Sequence, residues 1–318
     1  MRDAFVERLT VLAASNPKIF LITGDLGFGV LTDFAKRFPS QFLNIGVAEQ
    51  NMIGVATGLA LEGRIVFAYS IGNFSTLRCL EQIRNDACYH EADVKIVGMG
   101  GGFSYGGLGM SHHATEDLAI MRALPNMTVV TPGDAWEVAE ATAAIARHPG
   151  ACYLRIEKSK ASNTRRTGEI FELGKIRAVR EGRDATLICC GGILGVVLNA
   201  AEILEDRGVS CRVLSVHTLK PLDHEAIVRL TRDVPVVVTV EEHTTNGGLG
   251  GAVAESLLEA GVQPKRFLRI GLDDTYSAVV GSQDYLRKHY GFDEAAIVER
   301  TLAIAEVSVG KLIHETRF

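Results

Sequence analysis

The chain has 318 residues, 47% of them hydrophobic and 22% charged, with a net charge of −5, which is the composition of a globular enzyme long enough for two ordinary domains. No basic run is longer than a pair such as Arg165-Arg166, which argues against nucleic acid and anionic membranes as partners. No apolar stretch reaches the ~18 residues of a membrane span, and Met1-Arg2-Asp3-Ala4 lacks the apolar core of a signal peptide, so a cytoplasmic location is expected. Six cysteines without a CxxC pair read as buried, reduced thiols, not as a zinc site or a disulfide framework.

In chain order, strand-length apolar runs alternate with helix-like stretches. Strands are expected at Ile19–Ile22, Phe42–Ile45, Ile65–Ala68, Val94–Val97, Thr128–Val130 and Cys152–Leu154. A helix of small residues is expected from Met52 to Leu61, with others near 75–89, 115–123 and 134–147. This rhythm predicts a parallel α/β layer. Residues 164–183, with Arg165-Arg166-Thr167-Gly168 near their start, read as a linker after a first domain of residues 1–163. Alternation then resumes with strands at Thr186–Cys190, Arg212–Val216, Val236–Val240 and Phe267–Ile270 and helices at about 194–207, 223–231, 250–260 and 294–309. The expected fold class is α/β, with two doubly wound domains: a mainly parallel first domain and a smaller second one over 184–318.

Glu49, in Asn44-Ile45-Gly46-Val47-Ala48-Glu49-Gln50-Asn51, stands where a strand hands over to the small-residue helix. Burial there favours a neutral, proton-donating carboxyl, while the positive helix end favours the anion, a balance suited to proton transfer. The plain alternative is a helix-capping glutamate at an exposed first turn. The glycine-rich segment Gly98–Gly109 follows a strand and leads into Ser111-His112-His113, placing an imidazole pair at the carboxyl end of a parallel sheet, where ligands usually bind. Solvated loop histidines are the simpler reading. Phe74 stands at a strand's carboxyl end, where its ring could stack on a planar group; ordinary core is the commoner fate of a phenylalanine. Asp25, after the first clear strand, and Arg155 and Lys158, at the end of the last strand of the first half, are candidate rim contacts. Each is equally well a plain surface charge. Gly191-Gly192 and Gly247–Gly251 look like phosphate cradles, but neither completes a dinucleotide fingerprint.

Together, Asp33–Pro39, Asn44–Asn51, Leu80–Asn85, Ser111–Ala119 and Thr131–Asp134 resemble, in order and spacing, the pyrimidine-binding domain of transketolases. Leu214-Ser215-Val216 and Val240–Gly250 resemble the transketolase C-terminal domain. The resemblance implies thiamine diphosphate as cofactor, with Glu49 bonding the aminopyrimidine ring nitrogen and Phe74 packing on that ring's face. It implies that Arg78 lies beside the cofactor, that Asp25 approaches the thiazolium ring from a neighbouring subunit, and that His112 faces the substrate. Lys158 or Arg155 would meet a sugar phosphate. No Gly-Asp-Gly with an Asn-bearing loop occurs; Gly24-Asp25-Leu26 and Gly133-Asp134-Ala135 are the Gly-Asp pairs present. The magnesium ligands and diphosphate grip are therefore expected on a transketolase N-terminal partner subunit, in an α2β2 assembly with no metal ligands on this chain. Leu108 and Gly100 stand where relatives commonly carry sugar-facing Asp and His, which points to an unusual ketose. The implied activity is transfer of a two-carbon ketol unit from a ketose to an aldose. The alternatives are the β subunit of a 2-oxo-acid dehydrogenase, a 1-deoxyxylulose-phosphate-synthase-like enzyme, or a non-catalytic paralogue.

Overall fold

The computed structural model describes residues 1–158 and 163–315, with side chains described to residue 305. Among these residues lie two sheets with helices packed on both. The first contains β1 (Ile19–Thr23), β2 (Phe42–Asn44), β3 (Ile65–Ile71), β4 (Val94–Met99), β5 (Thr128–Val130) and β6 (Cys152–Ile156). The second contains β7 (Arg177–Arg180), β8 (Ala185–Cys190), β9 (Cys211–Ser215), β11 (Val236–Thr244) and β12 (Arg266–Leu272). One strand from the second half, β10 (Thr218–Lys220), crosses over and pairs antiparallel with β5, so the first sheet runs β10-β5-β6-β4-β3-β1-β2. The second runs β12-β11-β8-β9-β7, with β7 antiparallel at its edge.

Strands β4, β6 and β8 are buried along their whole length, as befits apolar runs covered by helices on both faces of a parallel sheet. The helix Ala135–Arg147 starts sharply because the Asp134 carboxylate accepts the Glu137 N–H at 2.7 Å, a normal N-cap. Within the stretch read as a linker, Arg177–Arg180 forms strand β7, and Arg177 reaches back to Glu137 and Glu169. The expected helix near 75–89 is instead wound in short pieces, ending in a π-helical turn over Ile83–Cys88; such turns often accompany functional sites.

Both halves contribute to one continuous core, in which Ile22, Met52 and Ile96 of the first half share a cluster with Ile188, Leu214 and Leu249 of the second. The register that matters for function is at the carboxyl edge of the first sheet. Thr23 lies opposite Tyr69 and Asn44, and Met99 lies opposite Ile71 and Ile156. The loops leaving β1, β2, β3 and β4 therefore emerge side by side.

Candidate active site

Glu49 is the first residue of the helix Glu49–Leu61 and is only 4% exposed. It approaches the β1 loop closely: a Cβ on Gly24 would come within 3.3 Å of the Glu49 Cγ. Arg78 Nη1 donates to Glu49 Oε2 at 3.0 Å, and the same guanidinium lies 4.0 Å from the centroid of the Phe74 ring. Phe74 in turn meets the His112 ring at 5.1 Å, inclined at 62°. Ser111 Oγ and His112 Nδ1 are 3.0 Å apart. Four of the residues singled out from the sequence thus form one chain of contacts: carboxylate, guanidinium, benzene ring, imidazole. The exposed-cap alternative for Glu49 does not hold, because the side chain is buried.

The floor of this site is a neutral thiol. Cys79 Sγ donates to the Phe74 carbonyl at 3.0 Å, and burial pushes its thiol up to about 12, helped by the negative charge of Glu49. Asn73 fixes the far side, its Nδ2 donating to the carbonyls of His113 and Ser111. Asp25 sits at the rim with φ +58, a conformation that an aspartate tolerates better than most residues. Its N–H donates to Asn44 Oδ1 at 2.9 Å, and Asn44 Nδ2 donates back to Asp25 Oδ1 at 3.1 Å. A groove of about 350 Å³ opens alongside, lined by Thr23, Leu26, Phe28 and Asn44. Phe28 and Val47, on this same edge, are more than three-quarters exposed, a substantial apolar area for a protein surface.

The two histidines divide. His112 is half-buried, whereas His113 is buried, its Nε2 3.3 Å from the Gly106 carbonyl and its ring edge-on to Phe103 at 4.9 Å. Burial lowers the His113 pKa, so it is a neutral core side chain. The start of the glycine-rich segment is closely packed: Gly100 has φ +94, and a Cβ there would collide with the Tyr105 ring. Tyr105, which no sequence motif singles out, fills the space beside Gly100 with its ring, lies 6.4 Å from His112, and carries Lys158 Nζ 5.7 Å from its centroid. The glycine is the signal in the sequence that could have found it.

Arg155 differs most from its expected place. It does not face the rim; it is buried between the two halves, donating to the carbonyls of Glu242 (2.8 Å) and Ala114 (3.2 Å), with Nε 3.4 Å from Asp117. Burial opposes its charge, but Asp117 and Glu157 outweigh that, and the guanidinium stays protonated. Arg155 is thus held in a buried ion pair, and of the two candidate cations it is Lys158 that is exposed.

Both glycine elbows of the second half are filled from within. The Glu241 carboxylate accepts the N–H groups of Leu249 (2.7 Å) and Gly250 (2.8 Å), and a Cβ on Gly248 would collide with it. Glu157 does the same for Gly192, at 2.8 Å. An internal carboxylate at a helix N-terminus occupies the place a phosphate would take. Among the described residues no group of three His, Cys, Asp or Glu is placed to hold a metal ion, and no helix is long and apolar enough to cross a membrane.

Residues 1–163 match the family model of the transketolase pyrimidine binding domain, and residues 174–297 match that of the transketolase C-terminal domain. The chain belongs to the transketolase family. It is 35% identical over 303 residues to one of the subunits of the apulose-4-phosphate transketolase of Phocaeicola vulgatus, covering 95% of this chain and 96% of that one. It is 36% identical over 307 residues to a 6-deoxy-6-sulfo-D-fructose transketolase subunit of a Clostridium species, covering 96% and 94%. Among solved structures, a split gene transketolase in an inactive β4 tetramer superposes with a TM-score of 0.87 at 37% identity, covering 96% of this chain and 98% of that one. The family resemblance read from the motifs and the two-domain α/β fold are therefore both borne out.

Proposed function

We propose that the chain is one subunit of a split, thiamine-diphosphate-dependent transketolase, which moves a two-carbon ketol unit from a ketose to an aldose and is active only with a diphosphate-binding partner. The observation that carries this reading is the convergence of Glu49, Arg78, Phe74 and His112 at one sheet edge, on a chain whose own glycine elbows are plugged. These residues fit the aminopyrimidine half of the cofactor: a buried carboxyl to bond a ring nitrogen, a ring to stack on, and a rim aspartate, Asp25, locked by Asn44. When bound, the cofactor supplies a carbon nucleophile for the substrate carbonyl. Glu49 holds or accepts the proton at its carboxyl oxygens. Arg78 is 45% exposed and Glu49 4%, so the guanidinium can swing into solvent as the ring nitrogen takes its place on the buried carboxyl. Phe74 orients the ring and excludes water, and His112 presents its imidazole to the substrate with Lys158 behind it for an anionic end.

Magnesium and the diphosphate fall to the partner, in an α2β2 assembly that also covers the exposed Phe28 and Val47. That a relative made up of like chains alone is an inactive β4 tetramer supports this dependence. Gly100 and Leu108 remove two hydrogen-bonding positions near the substrate, and relatives named for apulose 4-phosphate and for a sulfonated deoxyketose support an unusual ketose donor. The test is reconstitution with a partner carrying the Gly-Asp-Gly motif. The mixture should transfer ketol units, the chain alone should not, and Glu49→Ala should abolish transfer while the subunits still assemble. Full turnover by this polypeptide unaided, or by the Glu49→Ala mixture, defeats the reading; release of carbon dioxide from a 2-oxo acid moves it to the dehydrogenase class.

A further inference from the structure

The glycine-rich segment that presents His112 is held by the second half of the chain as well as by its own sheet. Phe103 N–H donates to Glu242 Oε1 at 2.5 Å, and Gly102, at φ +58, passes so close that a Cβ would sit 2.5 Å from the same oxygen. The Phe103 ring is fully buried against Tyr290 (5.5 Å) and Phe292 (6.0 Å), and Gly281 N–H donates to the Gly106 carbonyl at 3.3 Å. Glu242, near the end of β11, is then gripped from behind. Arg287 Nε donates to its Oε2 at 2.5 Å and Gln283 Nε2 to its Oε1 at 2.8 Å, both from the helix Gln283–His289. The same two side chains reach Glu157, just past β6, at 3.6 and 3.3 Å.

Two buried carboxylates and an arginine are a costly way to fill a domain junction, since apolar packing of the same volume is commonly as stable or more so. What such a cluster does supply is register, because each donor and acceptor fixes one partner. We propose that Glu242 is a positioning residue. With Arg287 and Gln283 it clamps the Gly100–Gly109 backbone, so that the second domain sets the distance of His112 from Phe74. The inference rests on the reading of His112 as the substrate-facing imidazole, but its test does not need turnover.

The experiment uses the full chain and two readouts: amide hydrogen exchange over residues 100–113 and the NMR signals of the His112 imidazole. Glu242→Ala should speed exchange in that segment by about tenfold, as a lost anchor raises local opening, and should shift the His112 signals. Glu242→Gln keeps an acceptor for the Phe103 N–H but turns its NH2 toward the Arg287 donor, and should restore part of the protection. Glu137→Gln, at another buried charge cluster between the halves, is the control, expected to lower the melting temperature without moving His112. Unchanged exchange and His112 signals in Glu242→Ala overturn the proposal, as does an equal response in Glu137→Gln, or a Glu242→Gln variant no better than the alanine. If Glu242→Ala cannot be purified folded, Arg287→Met is read in its place by the same criteria. A failed reconstitution of transfer alongside the expected exchange pattern would discard the enzyme reading and leave the clamp standing.

Discussion

Arg155→Met separates a structural arginine from a substrate-binding one. Methionine keeps the length and apolar stem but removes the charge from a position that is only 1% exposed. It leaves the buried Asp117 carboxylate with the Tyr153 hydroxyl, donating at 2.6 Å, and the His243 ring 3.9 Å away, and takes the donors away from the carbonyls of Ala114 and Glu242. Removing one partner of a buried ion pair costs about 3–5 kcal/mol, because the remaining charge stays desolvated. No overpacking adds to this, since the Gly101 backbone already lies against the larger guanidinium. Urea denaturation at neutral pH, followed by circular dichroism, should show a loss of that size. Adding Asp117→Asn should return part of it, as neutralising both partners removes the stranded charge. A variant that loses less than ~1 kcal/mol but loses ketol transfer in the reconstituted enzyme would refute the assignment and put Arg155 back in the substrate site.

His217 gives a pH signature. Burial, then the charge of Arg177, lowers its pKa from an ordinary 6.5 to about 3, and its Nε2 has no hydrogen-bond partner among the described residues. Below pH 6.5 the unfolded chain binds a proton that the folded chain refuses, so stability is full above that value and falls as the pH drops toward about 3. At pH 5 the loss from this one residue is about 2 kcal/mol, and His217→Gln should flatten the difference between unfolding curves at pH 7 and pH 5. A wild-type slope identical to that of the variant would contradict it. Gly100→Ala should lower stability by about 1–3 kcal/mol, from positive φ and collision with Tyr105, while Gly100→Ala combined with Tyr105→Ala recovers the steric part. Thermal unfolding of the single and double variants checks this.

The parallel layers are legible in the sequence because strands buried on both faces write nearly continuous apolar runs: Val94–Val97 (broken by Lys95), Cys152–Leu154 and Val236–Val240 (broken by Thr239) all lie in strands. Strands β7 and β10 are not, since a short edge strand such as Arg177-Ala178-Val179-Arg180 needs only one apolar face and one paired neighbour. The helix Arg2–Ser15 is also missing from the sequence reading, although its apolar residues Phe5, Leu9 and Ala13 recur every four positions along the buried side. In the site, Glu49, Phe74, Arg78 and His112 can be named from their motifs, but Arg155 cannot be placed. Position along β6 gives its height on the sheet, not whether its side chain turns outward or toward Asp117. The clamp at Glu242 depends on residues 103, 157, 242 and 287 meeting across the chain, and no local pattern announces such a meeting.

Strand β10 has a practical corollary for anyone wishing to dissect the molecule. Its three residues belong to the second half by position yet close the exposed side of β5. Cutting the polypeptide after residue 163 would strip β5 of that cover and leave unsatisfied backbone groups ready to recruit a neighbour, so the excised piece should precipitate or swap segments. The two halves are better mutated in place than expressed apart.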